Sequence, residues 1–91
     1  MKIEKPAIAG TMESSDAMVR VEPLPGQGLQ LEIESIVIKQ FGEAIRALML
    51  QTLAECDVSE GYVSVVDQGA LDCTLKARLQ TALQRAGGNA E

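Results

Sequence analysis

Histidine and tryptophan are absent from the 91 residues, and phenylalanine and tyrosine occur once each. Without histidine the commonest general base and metal ligand is missing, so neither a Ser-His-Asp nor a Cys-His constellation can be assembled. One Phe and one Tyr are too few for a platform on which nucleic-acid bases stack. Cys56 and Cys73 are too sparse for a disulfide framework or a zinc knuckle, and reduced thiols are expected. Cations are also scarce, with 8 Lys and Arg against 13 Asp and Glu and a net charge of −5. That balance argues against a phosphate-backbone ligand and suits a basic protein partner. No apolar run approaches the roughly 20 residues that span a bilayer, and Met1-Lys2-Ile3-Glu4-Lys5-Pro6 has no signal-peptide core. A cytoplasmic location is therefore expected. There is no phosphate-cradling glycine loop with its lysine, and no carboxylate spacing that implies a metal. Glu13 and Asp16 flank a turn, where solvated carboxylates are a better account of them than an acid/base pair with no pocket to tune it. An independent enzyme is disfavoured.

What is present is a folded-domain composition, 46% hydrophobic and 23% charged, in a chain long enough for one modest core. Residues 1–91 are read as a single domain. Two extended runs, Ala7 to Glu13 and Ala17 to Pro23, surround the turn residues Ser14-Ser15-Asp16 and predict a hairpin. Ile8, Gly10 and Met12 share one parity in the first run; Val19 and Val21 alternate with Arg20 and Glu22 in the second. After a loop at Leu24 to Gly28, Leu29 to Ser35 alternates with Leu29, Leu31 and Ile33 inward. Ser35 can cap a helix running to about Cys56, with Phe41, Ile45, Leu48, Met49, Thr52, Leu53 and Cys56 on one stripe. Cys56 reads as a small core residue there. Tyr62 to Val66 is β-rich and ends at Asp67-Gln68-Gly69. Asp72 can cap a last helix whose face is Leu75, Leu79, Ala82, Leu83 and Ala86, ended by Gly87-Gly88, and the tail beyond should fray.

The order strand-strand-strand-helix-strand-helix predicts an α+β two-layer sandwich, with both helices on one face of a small mixed sheet. The helix between the third and fourth strands is consistent with a right-handed crossover that sets them parallel, while the pairing order stays open. On the strand positions facing away from the core, Glu22, Glu32 and Glu34 are candidates for a docking face or plain solubility charges. The chemistry left over is Ser14 and Ser15 at the tip of the hairpin. An unactivated serine is a poor nucleophile, yet it can accept a group from an external transferase.

Ala9-Gly10-Thr11-Met12-Glu13-Ser14-Ser15-Asp16 resembles the N-terminal signature of the citrate lyase acyl carrier family, the gamma subunits. Lys39-Gln40-Phe41-Gly42 with Ile45-Arg46-Ala47, and Gly69-Ala70-Leu71-Asp72-Cys73 followed by Ala77-Arg78, continue the likeness in order and spacing. The resemblance implies a phosphoribosyl dephospho-coenzyme A joined through a phosphodiester to Ser14. It further implies a carrier with no catalytic residue or metal of its own, which presents acetyl and citryl thioesters to an alpha acyl transferase and a beta citryl lyase. A separate prosthetic-group transferase would load it. Two other readings stay open: a cofactor-free interaction or regulatory module, and the carrier of citramalate lyase or malonate decarboxylase.

Overall fold

The computed structural model describes residues 2–87. Strands β1 (Ala7–Gly10), β2 (Ala17–Glu22) and β3 (Leu29–Ser35) are followed by helix α1 (Ile38–Glu55), strand β4 (Gly61–Asp67) and helix α2 (Asp72–Ala86). The strands form one sheet in the order β1-β2-β4-β3, antiparallel except for the parallel β3–β4 pair that α1 bridges. The α+β sandwich and its element order are those expected. The sheet's inner face is built from two cross-strand rows, Ala9–Val19–Val65–Ile33 and Ala7–Val21–Val63–Leu31. Rows centred on the β-branched Val19, Val21, Val63 and Val65 suit a pleated surface covered on one side. Helix α2 covers β1 and β2, α1 lies against β3, and the helices touch each other. Ile45, Met49 and Leu53 of α1 join Leu75, Leu79, Ala82, Leu83 and Ala86 of α2 in the core, each large side chain contributing about 1.5–3 kcal/mol by burial. Leu29, Leu31 and Ile33 pack on this core but are only half-buried, because β3 is an edge strand.

Several local expectations are corrected. Phe41 does not continue the buried stripe of α1: it is 53% exposed, and burial begins one turn later at Ile45. Leu48 and Cys56 are half-buried at the stripe's margin. In β1 it is Ala7 and Ala9 that face the helices, while Ile8 is 47% exposed and Met12 also lies in solvent. Small residues there let α2 approach the strand closely. Ser35 does not cap α1, whose N-cap is Val37; its hydroxyl instead accepts the Val37 N–H (3.0 Å) in the preceding turn. Asp72 likewise falls inside α2, whose N-cap is Leu71. Neither helix has a side-chain cap. The buried Asp67, at the end of β4, joins the two turns: it accepts the Ser35 hydroxyl (2.8 Å) and the Ala70 N–H (2.9 Å).

The N-terminal segment adds a contact that no periodicity announced. Ile3 is buried and bridges Gly87, and the Glu4 and Lys5 N–H groups share the Ala86 carbonyl, finishing the end of α2. The expected fraying beyond Gly88 lies outside the described residues. Among the described residues no helix is long and apolar enough to cross a membrane.

Candidate functional site

The expected β1 run to Glu13 stops at Gly10, so the connection to β2 is the six-residue loop Thr11–Asp16. Gly10 has φ +93°, and a Cβ placed on it would lie 1.9 Å from the Ala17 carbonyl oxygen. Only glycine lets β1 end this close to the start of β2. The loop then tightens into a turn in which the Asp16 N–H donates to the Glu13 carbonyl at 3.1 Å, leaving Ser14 and Ser15 as its central residues. Ser15 takes φ +66°, a left-handed conformation that is costly for a residue with a side chain. The strain is held by tertiary bonds: the Ser15 N–H donates to the Gln68 carbonyl (2.8 Å) and the Gln68 N–H to the Asp16 carbonyl (2.9 Å). The tip is thus fastened to the chain just beyond β4.

Asp16, expected to be a solvated turn residue, is the clamp of the loop, its side chain only 15% exposed. Arg78 of α2 grips it with two bonds, Nε to Oδ1 at 3.0 Å and Nη2 to Oδ2 at 3.2 Å. Thr11 donates its hydroxyl to Oδ2 (2.7 Å), and the Ala17 N–H reaches Oδ1 (2.7 Å). The Arg78 guanidinium foremost, then Thr11 and Ala17, hold the Asp16 carboxyl well below its ordinary 3.8. Thr11 also accepts the Glu13 N–H at 3.2 Å, closing the loop on itself. The Asp16–Arg78 pair spans 62 positions, a partnership that no local pattern in the chain announces.

Against this rigid frame Glu13, Ser14 and Ser15 are all exposed. Among the described residues no partner holds the Ser14 hydroxyl, and no histidine exists to activate it. An exposed hydroxyl of this kind can be modified by an external enzyme. Cys73 is exposed near the start of α2, off the buried stripe, and Cys56 is half-buried. Among the described residues no group of three or more Cys, Asp or Glu side chains could hold a metal ion.

The outward sheet face carries less free charge than its sequence suggests. Glu32 accepts the Tyr62 hydroxyl at 2.8 Å, which raises the Tyr62 pKa, and Glu22 pairs with Arg20 at 2.7 Å. Glu34 is exposed. The loop end of the molecule is the more apolar one. Met12, Ile36, Ile38, Phe41 and Leu71 are exposed there, around the turn and the starts of both helices.

The family model of the malonate decarboxylase delta subunit (MdcD), an acyl carrier family, matches residues 4–86. The chain is 56% identical over 86 residues to the citrate lyase acyl carrier protein of Cronobacter sakazakii (strain ATCC BAA-894), covering 94% of this chain and 88% of that protein. A crystal structure of a Pseudomonas malonate decarboxylase hetero-tetramer in complex with malonate contains a chain of the same fold. The two superpose with a TM-score of 0.71 at 21% identity, covering 96% of this chain and 93% of that one.

Proposed function

The chain belongs to the acyl carrier family of the citrate lyase and malonate decarboxylase type, non-catalytic carrier subunits, and from this premise we propose that it serves as the carrier of citrate lyase, with phosphoribosyl dephospho-coenzyme A attached at Ser14. The observation that carries the reading is the Glu13–Asp16 turn, which is exposed at its serines yet locked behind them by the Asp16–Arg78 clamp and the Gln68 bonds. The residues fit the group. A phosphodiester on Ser14 would displace no core side chain, and the clamp would hold its root in one place. When bound, the group supplies a terminal thiol on which acyl chains ride as thioesters. The residues of this chain fix the root of the arm, and the bond-making steps fall to partners. A fixed root on a flexible arm makes each transfer effectively intramolecular at neighbouring active sites.

The partners on this reading are an alpha acyl transferase, a beta citryl lyase and the transferase that loads Ser14, all in the cytoplasm, where the net charge of −5 steers docking onto basic surfaces. The 56% identity to a citrate lyase acyl carrier protein favours citrate lyase over the malonate decarboxylase carrier, whose family model also matches but whose complex contains a chain only 21% identical to this one. The test is the intact mass of the protein produced beside its maturation enzymes, with the modified residue mapped by fragmentation. A nucleotide-containing adduct on Ser14 supports the proposal, and an unmodified chain under those conditions refutes it. Cleavage of citrate rather than citramalate by the reconstituted complex identifies the substrate.

A further inference from the structure

A groove of about 460 Å³ opens between the first turns of α1, the segment joining β4 to α2, and the start of α2. That volume is in the range of pockets that enclose a small-molecule segment. Its walls are apolar: Phe41 and Ile45 on one side, Leu71 and Leu75 on the other. Two of these are costly to leave in water, Phe41 at 53% and Leu71 at 72% exposure. Its ionisable groups are both acidic, Asp67 and Asp72, with no Lys or Arg among the lining residues. Asp67 already accepts hydrogen bonds from Ser35 and Ala70.

The position of the groove bears on what could occupy it. The Ser15 N–H donates to the Gln68 carbonyl at 2.8 Å, and Gly69, Ala70 and Leu71, the next residues along, form one wall. Anything bonded to Ser14 therefore starts from a loop tip that is bonded to the residue preceding this wall, at a local concentration on the order of millimolar set by the tether. Resting on the assignment of Ser14 as the attachment site, we infer that this groove holds the uncharged acyl-thioester end of the arm in its acetyl form, and excludes acyl groups that carry carboxylates. An acetyl group and the amide-bearing chain behind it match apolar walls. An acyl group with free carboxylates meets Asp67 and Asp72 and is repelled, because like charges at close range in a partly desolvated site disfavour binding. The carrier would then shelter its thioester after one transfer and expose it after the next.

The experiment uses the full-length, ¹⁵N-labelled protein loaded by its maturation enzymes, with the adduct at Ser14 verified by mass. The arm thiol is left free, acetylated, or succinylated as the carboxylate-bearing probe. Acetylation is expected to shift the amide signals of the groove segments 37–45 and 69–75, and succinylation to leave them as in the free-thiol form. The acetyl thioester should also hydrolyse several-fold more slowly in the parent than in Leu71→Asp, a change at an exposed position that leaves the core intact; Phe41→Asp provides a second variant. Adduct present on Ser14 with no groove shifts, or equal hydrolysis rates in all three proteins, would overturn the inference while leaving the carrier assignment standing. Groove signals that move with protein concentration before loading would assign the groove to a second copy and also overturn it. Absence of the adduct from Ser14 would remove both.

Discussion

Replacing Gly10 with alanine should cost this domain far more than a typical glycine substitution, and the difference can be worked from the geometry around it. The φ of +93° already penalises any side chain, by about 1–2 kcal/mol. The added Cβ would sit 1.9 Å from the Ala17 carbonyl oxygen, 3.0 Å from its carbon and 3.0 Å from Arg78 Cδ. Non-bonded carbon and oxygen need more than 3 Å, so β1 and β2 must part by over an ångström at the loop end. Forced shifts of packed backbone cost about 1–3 kcal/mol, giving a total of about 2–5 kcal/mol against the 5–15 kcal/mol typical of a domain. At about 4–8 °C per kcal/mol for a chain of this size, the melting temperature should fall by roughly 10 °C or more. Gly26→Ala is the control: its φ is +77°, but nothing lies within 4 Å of the new Cβ, so only the conformational penalty remains. Thermal unfolding followed by circular dichroism compares the two. Equal losses in Gly10→Ala and Gly26→Ala would show that the close approach to Ala17 is not what demands glycine. Because the shift separates Thr11 from Asp16, the same variant should also accept the prosthetic group more slowly than the parent at a temperature where both are folded.

Removing the side chain of Leu79, which is fully buried, should destabilise the domain by about 2–5 kcal/mol in urea titration, whereas Glu34→Gln on the open face should stay within about 0.5 kcal/mol. Asp16 has a folded-state pKa depressed below 3.8 by Arg78, Thr11 and Ala17, so its stabilisation is fully present above that value and is lost as pH falls below it toward the lower folded value. Urea midpoints measured from about pH 5 down to about pH 2 should therefore drop less steeply in Asp16→Asn and in Arg78→Gln than in the parent; an unchanged slope would contradict the clamp. Ser14→Ala and Ser15→Ala should both fold, since both positions are exposed, and only Ser15→Ala should gain the adduct by intact mass. Cys73→Ser should leave acyl loading and transfer in the reconstituted complex unchanged, because in the proposed function the working thiol is that of the attached group; loss of loading in a folded, modified variant would refute this.

The order of elements was readable in the chain because periodicity is local. Val19 and Val21 against Arg20 and Glu22, or Leu75, Leu79, Ala82 and Leu83 at helical spacing, state which side must be buried before any partner is known. The parallel setting of β3 and β4 also followed, since a helix between two strands leaves a right-handed crossover as the economical path. The exposed serine turn was legible in Glu13-Ser14-Ser15-Asp16 and in its likeness to a family signature.

What tertiary structure alone decided are the features that depend on the end of the sheet. Phe41 obeys the stripe of α1 and is nevertheless exposed, because periodicity says which face of a helix is apolar but not where along its axis the neighbouring layer stops. The expected caps, Ser35 and Asp72, yielded to the buried Asp67, which serves both turns from a strand that no capping pattern would search. The Asp16–Arg78 clamp, with the Gln68 bonds that hold Ser15 in a left-handed conformation, joins residues more than fifty positions apart. By itself, the sequence determined which residues seek burial and where the chain turns, since these are properties of neighbours along it. Only the folded arrangement determined which polar groups meet across the sheet end, because that depends on the relative placement of layers brought together by burial of the core.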